Sequence, residues 1–284
     1  MRLFAWIILT LSMVGGLVAQ DPTAEGLLRD GLVALQGEDL PTARSKLEAA
    51  AKIDPADGRI WLGLAQVYRL LDDTDRSEEA ITSTLELADE QPELLRGLAF
   101  YFDQADDPGR AAKASAQYAR NYPDDPEPFQ TAAAYYLEDG QTHLAVEFAL
   151  SALERRKTAE TYNVLGKAYA DRGNFDQALT ALREAVSLQR YSETLHVDLG
   201  EALLKAERFE DALRAFEAAR EVFDKSAAIE FGLGRSFHSL NRFEQAAAHL
   251  ERSLELDPKD DAPRELLAKV RAELGESSVA QESR

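Results

Sequence analysis

The pattern that decides the fold is clearest at residues 159–192, which read AETYNVLGKAYADRGNFDQALTALREAVSLQRYS. Apolar residues recur there at three- and four-residue steps on both sides of the segment Arg172-Gly173-Asn174. Such steps are typical of amphipathic helices, and glycine followed by asparagine is typical of a turn. The stretch therefore predicts two helices of about 14 residues each, joined by a short turn.

The same pattern recurs along most of the chain. Gly166, Gly200 and Gly234 stand 34 residues apart, and an alanine follows each of them after twelve residues. The same frame extends backward to give seven occurrences in all. Each has glycine or alanine at the place of Gly166, and alanine or serine twelve residues later. Small residues at fixed places are expected where two helices cross closely. The predicted repeats are residues 24–57, 58–91, 92–125, 126–158, 159–192, 193–226 and 227–260.

We expect the core of the protein to form by stacking of these helix pairs. A single pair cannot bury its apolar face, so neighbouring repeats have to cover it. After the last repeat, residues 261–274 form one further amphipathic pattern, whose apolar stripe ends at Leu274. We therefore predict an all-α fold of seven helix pairs, a capping helix at 261–274 and a flexible tail at 275–284.

Two of the repeats carry a recognisable pattern of aromatic, leucine and small residues. The motifs are Trp61-x-x-Leu64-Ala65-x-x-Tyr68, Tyr162-x-x-Leu165-Gly166-x-x-Tyr169 and Ala178-x-x-x-Leu182. In this pattern the chain resembles the tetratricopeptide repeat family over roughly residues 24–260. The resemblance implies a right-handed α-solenoid in which the first helix of each repeat lines a concave groove.

The N-terminal segment has the layout of an export signal. Arg2 is followed by an apolar run and then by small residues between Gly15 and Ala19. This order predicts a secretory signal at residues 1–19, cleaved after Ala19 or after Gly16. The apolar run of about 17 residues also reaches the lower limit for crossing a bilayer, so a retained N-terminal anchor is the alternative. We expect the remaining chain to be exported, either periplasmic or secreted, without further membrane contact.

The charge balance of the chain narrows the classes of partner. Acidic residues number 51 and basic residues 32, which gives a formal net charge of −19. Phosphate groups and anionic lipids attract basic surfaces, so this balance argues against nucleic-acid binding and against attachment to an anionic membrane. Either solubility or a basic partner accounts for the acidity. The absence of cysteine excludes disulfides, thiolate metal sites and cysteine nucleophiles.

No constellation of residues in the chain is typical of catalysis or of metal binding. The four histidines are His143, His196, His238 and His249. No two of them have the spacing of a zinc-protease helix, and no glycine-rich loop follows a strand pattern. The run Asp72-Asp73-x-Asp75 begins like a calcium loop but lacks the glycine and the glutamate that such a loop requires. We predict a protein that is not an enzyme and that uses no cofactor or metal.

The predicted groove has one local feature, in repeats one to three. By the resemblance, the second, fifth, ninth, twelfth and thirteenth places of each repeat face inward. In repeat one those places include Leu28, Leu32 and Leu35. Exposed apolar residues in a groove favour binding of a peptide or a helix, and an arginine beside them favours a carboxylate. The predicted partner-binding residues are Arg59, Leu62, Gln66, Arg69, Arg96 and Phe100.

A second possible binding feature is incomplete. The resemblance implies a clamp for C-terminal carboxylates built from lysine and asparagine, and Asn163 and Lys167 match only part of it. The sequence therefore does not support the prediction of a clamp.

These patterns predict a non-enzymatic scaffold or adaptor, exported from the cytoplasm, that binds proteins or peptides. The alternative is an accessory subunit that presents substrates to a separate envelope enzyme or assembly machine. An enzyme in its own right is the third hypothesis. The patterns leave open the identity of the partner and the oligomeric state.

Overall fold

The structure is a computed structural model that describes the backbone of residues 23–282, with side chains up to residue 275. The predicted signal or anchor at residues 1–19 lies outside these residues. Within the described part, the chain forms fifteen α-helices and no strand. This confirms the prediction of an all-α solenoid built from helix pairs. The helices fall into two compact units, the first ending at Pro123 and the second beginning at Asp124.

Unit 1 contains three helix pairs. Its helices are α1 (Ala24–Gln36), α2 (Leu40–Ile53), α3 (Gly58–Leu70), α4 (Thr74–Leu87), α5 (Glu93–Gln104) and α6 (Pro108–Asn121). The two helices of each pair pack on each other, and α3 also packs on α1, α2 and α5. Since only three to five residues join consecutive helices, neighbours run antiparallel.

Unit 2 contains four helix pairs and one further helix. Its helices are α7 (Pro126–Glu138), α8 (Thr142–Arg155), α9 (Ala159–Asp171), α10 (Phe175–Leu188), α11 (Glu193–Lys205), α12 (Phe209–Val222), α13 (Ala227–Ser239), α14 (Phe243–Leu256) and α15 (Asp261–Glu282). The pairs stack through contacts between adjacent first helices, as in α9 with α11 and α11 with α13.

The repeated glycines lie where two helices of a pair cross closely. A Cβ atom added at Gly200 would lie 2.2 Å from Cζ of Phe216, and one added at Gly166 would lie 2.5 Å from Cγ of Leu182. The large side chain of the second helix therefore occupies the space that a side chain on the first helix would fill. Packing at this distance explains why the place holds only glycine or alanine.

One side chain of the second helix also reaches the following repeat. The ring of Phe216 lies against Gly232 of α13, where an added Cβ atom would approach it to 2.4 Å. Leu47 covers Gly63 of α3 in the same way. The equivalent place in repeat three is Ser115, which is buried and whose hydroxyl has no hydrogen-bond partner within the described residues.

Each of the seven turns inside a pair contains one residue in the left-handed backbone region. Gly140 and Gly173 adopt this conformation without strain, with φ of 74° and 76°. The other turns place a residue with a side chain there. These residues are Glu38, Asp72, Asp106, Glu207 and Asn241.

The last helix differs from its prediction at one end. Leu267 and Val270 of α15 are buried in the core cluster that contains Leu233 and Phe237, as expected of a capping helix. The helix backbone continues to Glu282, past the predicted boundary at residue 274. Gly275 lies within the helix, and no proline follows it to prevent helical backbone.

Candidate functional site

The six predicted partner-binding residues lie on two adjacent first helices of unit 1. Arg59, Leu62, Gln66 and Arg69 belong to α3, and Arg96 and Phe100 belong to α5. We call this set the α3–α5 patch. Leu62 bridges the two helices, because a Cβ atom added at Gly97 would lie 2.3 Å from its Cδ2 atom.

The leucines predicted in repeat one do not extend the α3–α5 patch. Leu28, Leu32 and Leu35 are buried, so the prediction that they form an exposed strip is wrong. Leu32 packs near Gly63, where an added Cβ atom would lie 3.4 Å from its Cδ2 atom. Because Gly63 has no side chain, the leucine of α1 can approach the backbone of α3 and become part of the core.

Arg59 is committed to neighbouring carboxylates. Its Nη2 atom donates to Oδ2 of Asp57 at 2.6 Å and to Oε2 of Glu25 at 2.7 Å. The hydrogen bond to Asp57 and the further one to Glu25 outweigh the effect of partial burial and raise the pKa of Arg59 above its ordinary value. Arg59 therefore links α3 to α1, and its positive charge is already neutralised by Asp57 and Glu25.

Arg69 joins the C-terminal end of α3 to the C-terminal end of α5. Its Nη1 atom donates to the backbone oxygen of Gln104 at 3.1 Å, and its guanidinium carbon lies 5.8 Å from the ring centre of Tyr101. Its Nε atom is buried and has no acceptor among the described residues. Arg69 is thus positioned by α5 while no carboxylate of the described chain neutralises it.

The rest of the patch has an apolar centre and a polar rim. Leu62, Gln66, Arg96 and Phe100 are all half-buried, and Leu70 at the end of α3 is exposed. Such a surface can cover an apolar side chain of a ligand while a guanidinium at its rim pairs with a carboxylate.

The first helices of unit 2 carry charges that are paired across repeats. Asp198 of α11 accepts a hydrogen bond from Nδ2 of Asn163 at 2.8 Å and lies 3.6 Å from Nζ of Lys167. Both residues that match part of a carboxylate clamp are therefore occupied by a carboxylate of the chain itself.

The same arrangement continues along unit 2. Nζ of Lys205 donates to Asp171 at 2.9 Å, Arg235 pairs with Glu201, and Nε2 of His238 lies 2.9 Å from Oε2 of Glu273. The sequence analysis did not predict these pairs, although their partners stand 34 or 35 residues apart, which is one repeat. Opposite charges at one repeat period were the signal that could have revealed them.

Three family models of the tetratricopeptide repeat match the chain, at residues 34–99, 158–190 and 197–261. Together they cover more than half of its length, in both units. The chain belongs to the tetratricopeptide repeat family. Proteins of this family generally bind other proteins or peptides, and the fold is typically a non-enzymatic scaffold.

Solved structures of tetratricopeptide repeat proteins share the fold. One from Parabacteroides merdae has a TM-score of 0.55 and 17% identity, covering 87% of this chain and 98% of its own. A thermophilic protein from Thermus thermophilus has a TM-score of 0.51 and 23% identity, covering 63% and 97%. YrrB, which has an unusual peptide-binding site, has a TM-score of 0.51 and 17% identity, covering 64% and 96%. No curated protein matches the chain.

Two further findings concern the described residues of this tetratricopeptide repeat protein. Across that part of the chain, no three histidine or carboxylate side chains are grouped so that they could hold a metal ion. None of its helices combines the length and the apolar character that crossing a membrane requires.

Proposed function

We propose that this tetratricopeptide repeat protein is an exported, non-enzymatic scaffold that binds a peptide or helix of a partner protein at the α3–α5 patch. The observation that carries the proposal is the position of Arg69. It is held by the backbone of Gln104 and the ring of Tyr101, and no carboxylate of the described chain neutralises it. It shares α3 with the apolar side chain of Leu62, and α5, which holds it, carries Phe100.

The contrast with unit 2 supports this choice of surface. There Lys205, Arg235 and Asp198 are each paired with an opposite charge or an amide of the neighbouring first helix. A ligand carboxylate would have to displace one of these carboxylates before it could bind. At the α3–α5 patch a partner would meet apolar area and a preplaced guanidinium, the groups that dominate binding hot spots.

The test is a double substitution within the patch. Arg96→Ala combined with Phe100→Ala should weaken binding of a partner recovered from the envelope fraction by about thirtyfold or more. The matched control is Arg183→Ala with Leu150→Ala, two exposed residues on second helices of unit 2. Equal affinity of both variants, with unchanged circular dichroism, would move the binding site away from α3 and α5.

The nature of the recovered partner separates two roles. Structural envelope proteins would support a scaffold, whereas a stoichiometric enzyme would support the accessory-subunit alternative. Export has its own test, because mass spectrometry of the native protein should find a new N-terminus near Gln20. An intact Met1 on a membrane-bound protein would indicate an anchor instead.

A further inference from the structure

Exposed basic residues follow one edge of unit 2. They stand in the turns that lead from each second helix to the next first helix. Because neighbouring helices run antiparallel, these turns share one end of the stack. We call them the basic edge: Arg156, Lys157, Arg190, Lys225 and Lys259. Within the described residues, none of these five side chains makes an ion pair or a hydrogen bond.

Contacts join the turns of the basic edge from Lys157 to Lys225. Ser226, in the turn of Lys225, donates to Glu193 at 2.6 Å, and Glu193 follows the turn of Arg190. One repeat earlier, Gln189 donates to Glu160 at 2.6 Å. Successive turns are therefore in contact, and their side chains lie on one surface that runs across neighbouring repeats.

Large apolar side chains accompany these charges. Tyr191 is 81% exposed, Leu188 is 50% exposed and Val222 is 47% exposed. Leu188 and Val222 are the last residues of α10 and α12, so they stand at the same place in successive repeats. Apolar area beside unpaired charge is typical of a surface that another protein covers.

The equivalent turns of unit 1 carry the opposite charge. We call the exposed residues Asp54, Asp89 and Glu90 the acidic edge, and the two turns that hold them contain no basic residue. Nε2 of Gln91 donates to the backbone oxygen of Ala56 at 2.7 Å, which joins the two turns. Ile53 beside them is 54% exposed.

We propose that the basic edge binds the acidic edge of a second copy of the chain. The two surfaces are complementary in charge, and both present aliphatic side chains at the ends of second helices. The net charge of −19 opposes this contact only weakly at physiological salt, because screening limits each charge to a distance of about 8 Å. Such a contact is heterologous, since it joins different surfaces of the two copies.

A second copy fits the basic edge better than a polyanion does. Asp224, Asp257 and Asp260 are exposed in the same turns as the basic residues. A nucleic acid or an anionic membrane would bring uniform negative charge against these carboxylates. The acidic edge presents separate carboxylates, which can face the basic residues one by one.

The test is a charge reversal on each surface, followed by sedimentation velocity from micromolar to submillimolar concentration. The native chain should associate reversibly. Arg190→Glu with Lys225→Glu, or Asp89→Lys with Glu90→Lys, should each weaken self-association about tenfold or more. An equimolar mixture of the two variants should associate again, because the intact edge of each faces the intact edge of the other.

The control variant is Arg183→Glu with Lys269→Glu, which changes the net charge as Arg190→Glu with Lys225→Glu does, on exposed helix positions, and should associate like the native chain. A native chain that stays monomeric throughout would overturn the proposal, as would a mixture that fails to associate. Binding of duplex DNA or phosphatidylserine vesicles that requires Arg190 and Lys225, by a monomeric chain, would assign the basic edge to a polyanion instead. The α3–α5 patch takes no part, so this contact and partner binding can fail independently.

Discussion

The two units build the same helix pairs but stabilise them with different polar contacts. In unit 1 an aspartate caps each second helix, and its carboxylate accepts a backbone N–H of the first turn; these residues are Asp39, Asp73 and Asp107. In unit 2 the second helices begin without such a bond. In unit 2 charges pair across the first helices of successive repeats, as Lys205 does with Asp171; Arg59 and Glu25 form such a pair in unit 1.

These two ways of stabilising a repeat leave different surfaces available to a partner. Capping carboxylates lie in the turns and occupy no side chain on the first helices of unit 1, where, among the described residues, Arg59 pairs with Glu25 but Arg69 bonds only a backbone oxygen of α5. Charge pairs between first helices stabilise unit 2 but occupy the surface that corresponds to the proposed binding site of unit 1. The same repeat can therefore serve as a binding surface or as a self-paired stack.

The largest expected effect compares one core position in the two units. Phe216→Ala in α12 removes a fully buried ring that covers Gly200 and Gly232, and should cost about 3–5 kcal/mol of unfolding free energy. Ser115→Ala at the equivalent place of unit 1 removes an unsatisfied hydroxyl and should cost almost nothing. Urea titrations followed by circular dichroism measure both. Comparable losses would mean that the hydroxyl of Ser115 makes a stabilising contact.

Overpacking at the second small position should have the next largest effect. Ala212 is buried against the first helix of its pair, so Ala212→Leu should lower the free energy of unfolding by about 1–3 kcal/mol. Ala111 is its equivalent in unit 1 and should respond in the same way. Glu210→Leu is the control, because this residue is exposed two positions earlier in α12. Equal melting shifts for Ala212→Leu and Glu210→Leu would disprove the repeat frame.

Removal of a helix-capping side chain should cause a smaller loss of stability, and it should do so in unit 1 but not in unit 2. Asp107→Ala breaks the hydrogen bond from the backbone N–H of Arg110 and should cost about 1 kcal/mol. Asn174→Ala, before α10, removes no such bond and should cost far less. Thermal melts at neutral pH compare the two variants, and similar losses would show that caps do not distinguish the units.

The effect of Asp107 should also depend on pH. Burial raises its pKa, but the hydrogen bonds from the backbone and the guanidinium of Arg110 outweigh this and hold it below its ordinary value. The stabilisation is therefore complete above the unfolded pKa of about 3.9 and is lost as the pH falls through the folded value. The melting difference between Asp107→Ala and the native chain should shrink in acid.

Substitutions of the left-handed turn residues should change the free energy of unfolding least, and by similar amounts in both units. Glu38 and Glu207 are left-handed, so replacing either with glycine should raise the unfolding free energy by about 0.5–1 kcal/mol. Gly173→Ala at the equivalent turn should lower it. Melting temperatures that fall for Glu207→Gly would mean that its side chain contributes more than its backbone conformation costs.

The helix pairs could be predicted from the sequence because the constraints behind them are periodic. Close crossing at Gly166, Gly200 and Gly234 admits only small residues, and that requirement returns every 34 residues. Apolar steps within each helix report burial of one face directly. Both signals depend on contacts that every repeat makes in the same way.

The remaining features depend on contacts particular to one place. Burial of Leu32 follows from the missing side chain of Gly63, a neighbour in space from another repeat. The left-handed conformation of Glu38 has no local signal, since glutamate rarely adopts it. Gly275 follows the last apolar residue of its stripe, but glycine without a left-handed backbone is compatible with a continuing helix.

Site-specific photocrosslinking decides whether unit 1 or unit 2 presents the binding surface, because it compares equivalent places in the two units and captures a partner whose identity is unknown. A photoreactive amino acid replaces Gln66 of α3 in one variant and Lys167 of α9 in another, both at the ninth place of a repeat. We expect partner adducts from position 66 and none from position 167 in intact cells. Adducts from position 167 alone, or equal adducts from both positions, would contradict the assignment of the binding surface to the α3–α5 patch.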